Sequence, residues 1–183
     1  MTNRIVISPM FAEIISTALH GVDGMVFTTP LPCPHCENVP DKGLLAHDTI
    51  KRRFATVVEE NNLIKITVSV KRFTCKKCGK IVLAKSPFYP NTRVGSPVID
   101  LAMSLAFKFS YYQASQIMDM LGIPMNRGAI RTLAQSRTWT ISSVPMSGLL
   151  LPASFLTLGM LMSTTSIAPT PEEVLAACGF LEA

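Results

Sequence analysis

The sequence predicts an α+β protein, in which a small antiparallel β ribbon is followed by a helical module. Apolar and polar residues alternate with period two from Ile64 to Lys71, which is typical of a strand with one buried and one exposed face. Farther along, two short helical patterns flank Gly122 and Pro124, which predicts a helix, a turn and a second helix. Two Cys-x-x-Cys pairs lie on either side of the alternating segment, and they indicate that the ribbon carries a metal site.

The first predicted element is a helix within residues 1–27. Ser8 is placed as its N-cap, Pro9 as its first residue and Gly21 as its C-terminal stop, so we expect the helix to end at His20. No signal-peptide pattern is recognised at the start of the sequence, and a cytoplasmic protein is therefore expected.

The β ribbon is assigned to residues 28–86. The alternating strand is expected to pair with residues 50–58 through a turn at 59–62, and residues 81–83 supply a short third strand. Residues 87–95 contain proline, asparagine and glycine, which interrupt helices and strands, so they are predicted to be a linker to the helical module.

Four cysteines have the spacing of a metal site. Cys33 with Cys36, and Cys75 with Cys78, each place two thiolates across a tight turn. Four thiolates favour zinc, held at about 2.3 Å in a closed tetrahedral shell that leaves no position for substrate. The pattern therefore predicts a structural Zn²⁺. A redox-active pair is the alternative, although neither pair has the strand and helix context of a redox motif.

Three other potential ligands are placed outside this shell. His35 and His47 are interpreted as surface residues, because four cysteines already complete the coordination. Cys178 stands apart in the sequence and is interpreted as a buried or incidental thiol.

Basic residues are concentrated in the part of the chain that carries the cysteines. The chain has 17 Lys and Arg against 12 Asp and Glu, and neither Lys nor Arg occurs after Arg137. A merely solubilising face, which is the alternative, usually mixes both signs of charge, so this excess favours an anionic partner such as nucleic acid. The ribbon residues assigned to DNA are Lys71, Arg72, Lys76, Lys77 and Lys80.

Residues 96–140 predict a helix-turn-helix module. A helix begins at 96–97, a second spans 112–121, and a third runs over 127–138 with Asn126 as its cap. Arginine and glutamine pair with base edges in the major groove, and a helix start can hold a phosphate. The residues assigned to DNA here are Asn126, Arg127, Arg131 and Gln135. An ordinary pair of packed helices is the alternative.

Taken together, these segments resemble the N-terminal region of prokaryotic insertion-sequence transposases. The likeness covers about residues 33–135 and rests on CPHC, KRFTCKKCGK, PFYPNTRVGSPVIDLA and YYQASQIMDMLGIPMNRGAIRTLA. It implies that the four cysteines take the zinc positions of a ribbon. It also implies that Arg127, Arg131 and Gln135 read terminal repeats in double-stranded DNA. The residues after 138 do not match the acidic catalytic domain of such transposases, so no enzymatic activity is expected.

The segment 141–183 carries the main feature that favours a different class, a membrane protein. Residues 138–171 include no charged side chain, and 144–162 approaches the length of a membrane span. Because prolines and glycines interrupt it, we expect a loop-rich, poorly ordered apolar tail and no membrane partner. The first hypothesis is therefore a zinc-dependent DNA-binding protein, as a monomer or a homodimer. A zinc-ribbon interaction module or transcription regulator is the second hypothesis, and a membrane-tethered zinc protein is the third.

Overall fold

The computed structural model describes residues 6–37, 43–164 and 168–180. It is a mixed α+β structure, which confirms the predicted class. Its elements, in chain order, are α1 (Pro9–Val22), β1 (Val26–Phe27), β2 (Leu44–Glu59), β3 (Asn62–Cys75), β4 (Ile81–Leu83), α2 (Ser96–Lys108), α3 (Tyr111–Met120), α4 (Arg127–Ser136), β5 (Ser143–Met146), β6 (Leu149–Pro152), α5 (Ala153–Thr164) and α6 (Pro171–Ala177).

A long β-hairpin forms the centre of the main sheet. Strands β2 and β3 pair antiparallel, with Glu59 opposite Asn62 at the turn. Glu60 and Asn61 form the two-residue loop, and their φ angles of 49° and 64° are those of a type I′ turn, whose twist suits a hairpin. The predicted pairing of the two strands is confirmed.

Two short strands pair with the other edge of β3. Strand β1 is parallel to β3, with Val26 opposite Ser69, and β4 is antiparallel, with Val82 opposite Phe73. The third ribbon strand predicted at 81–83 is confirmed as β4. Strand β1 was not expected, because two residues are too few to show a period.

Helix α1 starts as predicted but ends later. Ser8 caps the helix through its side chain. Gly21, expected to stop the helix, lies inside it, since α1 continues to Val22. Its lack of a side chain has a packing reason instead, because a Cβ at this position would lie 2.3 Å from the Met162 Sδ of α5.

The connection between β4 and α2 is fixed to strand β2. The Gly95 N–H donates to the Phe54 carbonyl at 2.7 Å, and a Cβ on Gly95 would meet the Phe54 ring at 2.3 Å. Phe54 and Phe88 meet edge to face, with their centroids 6.0 Å apart. Arg52 Nη2 donates to the Thr92 carbonyl at 2.8 Å, and its guanidinium lies 3.8 Å over the Phe88 ring. These contacts hold the predicted linker against the sheet.

Most of the segment after residue 141 forms regular structure, which corrects the expectation of a loop-rich tail. Strands β5 and β6 form a hairpin, and α5 packs against α1. The apolar composition of this segment is used for packing against the other elements. Among the residues that the structure describes, every helix is too short or too polar to serve as a membrane span.

One hydrophobic cluster extends through the sheet and helices of the protein. It includes Phe11 of α1, Val68 of β3, Leu101 of α2, Ile130 of α4 and Phe155 of α5, each at most 1% exposed. Residues from all five predicted segments, including Phe88 of the predicted linker, belong to this cluster, so the segments are packed together around shared apolar contacts.

Candidate metal centre and nucleic-acid interface

The four cysteines meet at the end of the main hairpin that lies away from its turn. The Sγ atoms of Cys33 and Cys78 are 3.6 Å apart, and those of Cys36 and Cys75 are 3.5 Å apart. All four sulfur atoms lie within 4.8 Å of one another, and none belongs to a disulfide. A tetrahedral ion with bonds of about 2.3 Å has sulfur–sulfur edges of about 3.8 Å. The cluster is therefore a possible metal site.

The same backbone turn holds each cysteine pair. The Glu37 N–H donates to the Cys33 carbonyl, and the Gly79 N–H donates to the Cys75 carbonyl, both at 2.8 Å. Glu37 and Gly79 have positive φ angles of 53° and 69°, a conformation that costs little for glycine and more for other residues. The two turns thus present their sulfur atoms in a common geometry.

Buried apolar contacts and one backbone bond support the cysteine turns. Cys33 and Cys75 are fully buried and pack with Val82 in a small hydrophobic cluster separate from the main one. The Lys76 N–H donates to the Gly43 carbonyl at 2.8 Å and so joins the second turn to the residue before β2. This shell shields two sulfur atoms from water and leaves the other two half-buried.

The other potential ligands lie as the sequence suggested. His35 and His47 are exposed, and His47 Nδ1 lies 3.0 Å from Asp48 Oδ1. Cys178 is 7% exposed in the main hydrophobic cluster. Burial raises the pKa of its thiol to about 12, so this residue is an inert part of the core.

The ribbon residues assigned to DNA differ in accessibility. Lys71 and Arg72 are half-buried. The Arg72 guanidinium makes two hydrogen bonds with the Asp48 carboxylate, and this pairing lowers the pKa of Asp48. The charge of Arg72 is therefore balanced within the protein, which the sequence did not reveal. Three residues are exposed on the second cysteine turn and next to it: Lys76, Lys77 and Lys80.

Helices α3 and α4 are joined much as predicted. Gly122, with a φ of 72°, follows α3, and four residues lie between the caps Leu121 and Asn126. Asn126 Oδ1 accepts from the Ala129 N–H at 2.8 Å, which confirms the predicted cap. Helix α2 packs against both helices.

One face of α4 is exposed. Its inward side chains are Ile130, which is fully buried, and Leu133 and Ala134, which are half-buried. Ala129, in the first turn of the helix, is exposed. The exposed residues that can reach a partner are Arg127, Arg131, Thr132 and Gln135.

The exposed ribbon lysines and α4 lie at opposite ends of the main hairpin. The cysteine cluster adjoins the start of β2 at Leu44, whereas the Val58 N–H donates to the carbonyl of Gly122, in the turn before α4, at 2.7 Å. Val58 lies fourteen positions after Leu44 in β2, which corresponds to roughly 45 Å of extended strand. The two groups therefore do not form one compact patch.

A basic cleft that the sequence did not indicate lies along the hairpin between these ends. Its volume is about 390 Å³, and it is lined by Arg52, Arg53, Lys65, Thr92 and Arg93. The strand register gives part of the signal, because Arg53 lies opposite Thr67 and Lys65 is two residues from Thr67 on the same face. Arg93 belongs to the connection before α2, for which the sequence has no periodic signal.

Comparison of the chain with protein-family models, with curated proteins and with solved structures finds no match. The function must therefore be argued from the chemistry of these side chains. Two features carry that chemistry. They are the four clustered sulfur atoms and the exposed cations along the hairpin and α4.

Proposed function

We propose that the protein is a zinc-dependent DNA-binding protein without catalytic activity of its own, related to the DNA-binding region of insertion-sequence transposases. The observation that carries the proposal is the cysteine cluster, whose sulfur–sulfur distances of 3.5 and 3.6 Å approach the edges of a tetrahedral zinc–thiolate shell. Such a shell is closed to substrate and acts by stabilising the fold. In this proposal the cysteine end is the zinc ribbon, and α3 with α4 is the helix-turn-helix.

The exposed face of α4 supports duplex DNA as the partner. Arg127, Arg131 and Gln135 are exposed on a short helix that is backed by two others. In a helix-turn-helix the second helix enters the major groove, where arginine pairs with guanine and glutamine with adenine. Lys76 and Lys77, on the exposed turn at the other end of the hairpin, suit contacts to phosphate, which set affinity without reading sequence.

The test is duplex binding by zinc-loaded protein, with a preferred site first selected from a random-sequence library. Arg131→Ala is expected to cost about 1–3 kcal/mol on the preferred site and little on random DNA, because a base contact is lost. Replacement of Lys76 and Lys77 by alanine should weaken binding to both duplexes. It should also flatten the salt dependence by up to about two units of slope, since phosphate contacts are lost.

Equal weakening of both duplexes by Arg131→Ala would show that α4 does not read bases. The mass of the complex distinguishes a bound monomer from a bound homodimer. Absence of any salt-dependent duplex binding by wild-type protein would refute the proposal as a whole.

A zinc-ribbon protein-interaction module is the second candidate function. The observation that favours it is a pair of exposed aromatic side chains, Phe107 at 60% and Tyr112 at 58% exposure, on neighbouring helices. A cleft of about 570 Å³ lies beside Phe107 and is also lined by Tyr111 and Trp139. Exposed apolar surface of this kind is typical of protein contacts. Failure of the duplex experiment with fully folded protein would favour this candidate.

A further inference from the structure

The cleft formed by Arg52, Arg53, Lys65, Thr92 and Arg93 concentrates positive charge. Four of its five lining residues are cationic, and none is acidic. Cations gathered in this way repel one another, and that repulsion is relieved when an anion binds between them. The cleft therefore favours an anionic ligand.

Part of the cleft wall is fixed before any ligand binds. Arg52 is held by the Thr92 carbonyl at 2.8 Å and by the Phe88 ring. The Thr92 Oγ1 in turn donates to the Tyr89 carbonyl at 2.7 Å. Among the described residues, Arg52 has no carboxylate partner. A half-buried guanidinium without a counter-ion is a favourable place for an anion, because each supplies the charge that the other lacks.

Two carboxylates that lie at the hairpin already have partners. Asp23 Oδ1 accepts from the Thr67 N–H of β3 at 2.7 Å. Glu59 Oε1 lies 2.7 Å from His20 Nε2 at the turn end of the hairpin. Among the described residues, Arg53, Lys65 and Arg93 form no ion pair with a carboxylate, so their charge is not balanced within the protein.

The cleft also adjoins the start of α4. Arg53 lines a second, smaller cleft together with Pro124, Asn126 and Ala129, so this one side chain borders both places. The start of a helix carries partial positive charge and attracts anions. A phosphate in the basic cleft would thus lie beside the helix that carries Arg127 and Arg131.

We propose that this cleft binds a phosphate group through Arg53, Lys65 and Arg93, and that in the DNA complex it holds the duplex backbone next to α4. The second half of this inference rests on the proposed DNA-binding function. Arginine suits the role, because its planar fork can donate two hydrogen bonds to one phosphate. None of the three residues is among those assigned to DNA from the sequence.

The experiment compares charge removal with charge retention in the full zinc-loaded chain. Binding of a fluorescently labelled duplex of mixed sequence is measured by anisotropy over a series of salt concentrations. The neutral variant combines Arg53→Gln with Lys65→Gln, the charge-retaining variant combines Arg53→Lys with Lys65→Arg, and Lys85→Ala removes a cation outside the cleft. The neutral variant should lower the salt slope by about 0.9 for each lost contact. The other two variants should keep the wild-type slope.

A second measurement uses inorganic phosphate alone. Titration into ¹⁵N-labelled protein should shift the amide signals of Thr92 and Arg93 in the wild type and leave them unshifted in the neutral variant. This arm is independent of DNA, and it tests whether the cleft itself recognises phosphate. Circular dichroism melting of every variant verifies that each one is folded.

The outcomes separate the two proposals. If the wild type binds duplex DNA and the neutral variant keeps the wild-type salt slope, the proposed role of the cleft in DNA binding is refuted. The proposed function is then unaffected. If the wild type binds no duplex, the proposed function is refuted, and the phosphate titration alone tests whether the cleft binds phosphate. Absence of shifts at Thr92 and Arg93 in the wild type overturns the phosphate site.

Discussion

Asp100 is a charged residue buried inside the protein, at 5% exposure in α2. Its two carboxylate oxygens accept hydrogen bonds from the Tyr89 hydroxyl at 2.6 Å and the Ser154 hydroxyl at 2.7 Å. Burial raises the pKa of Asp100 above its usual 3.8. Because the folded pKa lies above the unfolded one, the folded state binds more protons, and this group lowers stability as pH rises above about 3.8. Asp100 therefore links α2 to α5 and to the connection between β4 and α2, and burial of its charged carboxylate lowers the stability of the folded state.

Substitution of Asp100 separates its hydrogen bonds from its charge. Asp100→Asn can accept from Tyr89 and donate to Ser154, so we expect stability at neutral pH to be unchanged or raised. Asp100→Ala leaves both hydroxyls without their partner and should lose about 1–3 kcal/mol for each one left unsatisfied. Urea unfolding at neutral and mildly acidic pH measures both effects.

The pH dependence provides the control for this pair of variants. The stability of Asp100→Asn relative to wild type should fall as the pH is lowered toward 3.8, since the wild-type carboxyl becomes neutral there. Equal loss of stability in the asparagine and alanine variants would contradict the interpretation, because it would mean that the charge itself is required.

Helices α1 and α5 approach closely because glycine occupies the crossing on both sides. Gly21 of α1 lies against Met162, and a Cβ on Gly159 of α5 would lie 2.8 Å from Ile14 Cγ2 and 3.1 Å from the Ile14 carbonyl oxygen. The carbonyl belongs to the backbone and cannot rotate away. The close packing of α5 on α1 therefore depends on the absence of a side chain at Gly159.

Gly159→Ala is expected to destabilise the protein even though alanine favours helix. The gain in helix propensity is at most about 1 kcal/mol, whereas an overpacked contact costs about 1–3 kcal/mol. Thermal or urea unfolding monitored by circular dichroism measures the balance. Gly128→Ala in the exposed first turn of α4 is the matched control, since its Cβ would meet only the Asn126 Oδ1 at 3.3 Å. Stabilisation by Gly159→Ala would show that the two helices can separate without cost.

Elements with a strong local pattern could be predicted from the sequence, and those formed by packing could not. The hairpin was predictable because period-two alternation at Ile66 and Val68 coincides with burial, and the turn at 59–62 fixes the register. Helix α5 was not predictable, because its residues are nearly all apolar or small and show no polar face from which a helical period could be recognised. Its place against α1 decides its structure.

The candidate site shows the same division between pattern and packing. The meeting of the two cysteine pairs followed from their spacing and from the hairpin between them, both of which are local features of the sequence. The pairing of Arg72 with Asp48 and the cleft contribution of Arg93 depend on which segments lie side by side. A single sequence contains no periodic signal for such contacts.

Among the residues that the structure describes, buried apolar side chains form two clusters of very different size. The main cluster contains residues of the sheet and of the helices, whereas the described buried members of the cluster at the cysteine end are Cys33, Cys75 and Val82. Full burial of a valine contributes about 1.5–3 kcal/mol. A structural zinc ion contributes on the order of 10 kcal/mol to the folding of a small module. We therefore expect the cysteine end to fold only when metal is bound, whereas apolar burial stabilises the rest of the protein.

Removal of the metal should accordingly unfold one end of the protein and leave the other folded. Purified protein is expected to contain one zinc ion, which Cys36→Ser or a chelator should remove. Hydrogen exchange should then accelerate at the Lys76 and Gly79 amides, which bond within the cysteine end, and stay slow at the Val58 and Gly95 amides, which bond to the turn before α4 and to β2. Mass spectrometry after exchange measures both groups.

Cys178→Ser is the matched control, because Cys178 lies in the main cluster outside the metal shell. It should keep its zinc and the slow exchange of Lys76 and Gly79, although loss of a buried thiol can lower the overall stability. Full zinc content in Cys36→Ser would contradict the assigned shell. Loss of the helical signal on chelation would show that the main cluster also needs the metal. Strands β2 and β3 run through both clusters, and in that case unfolding at the cysteine end would spread along them.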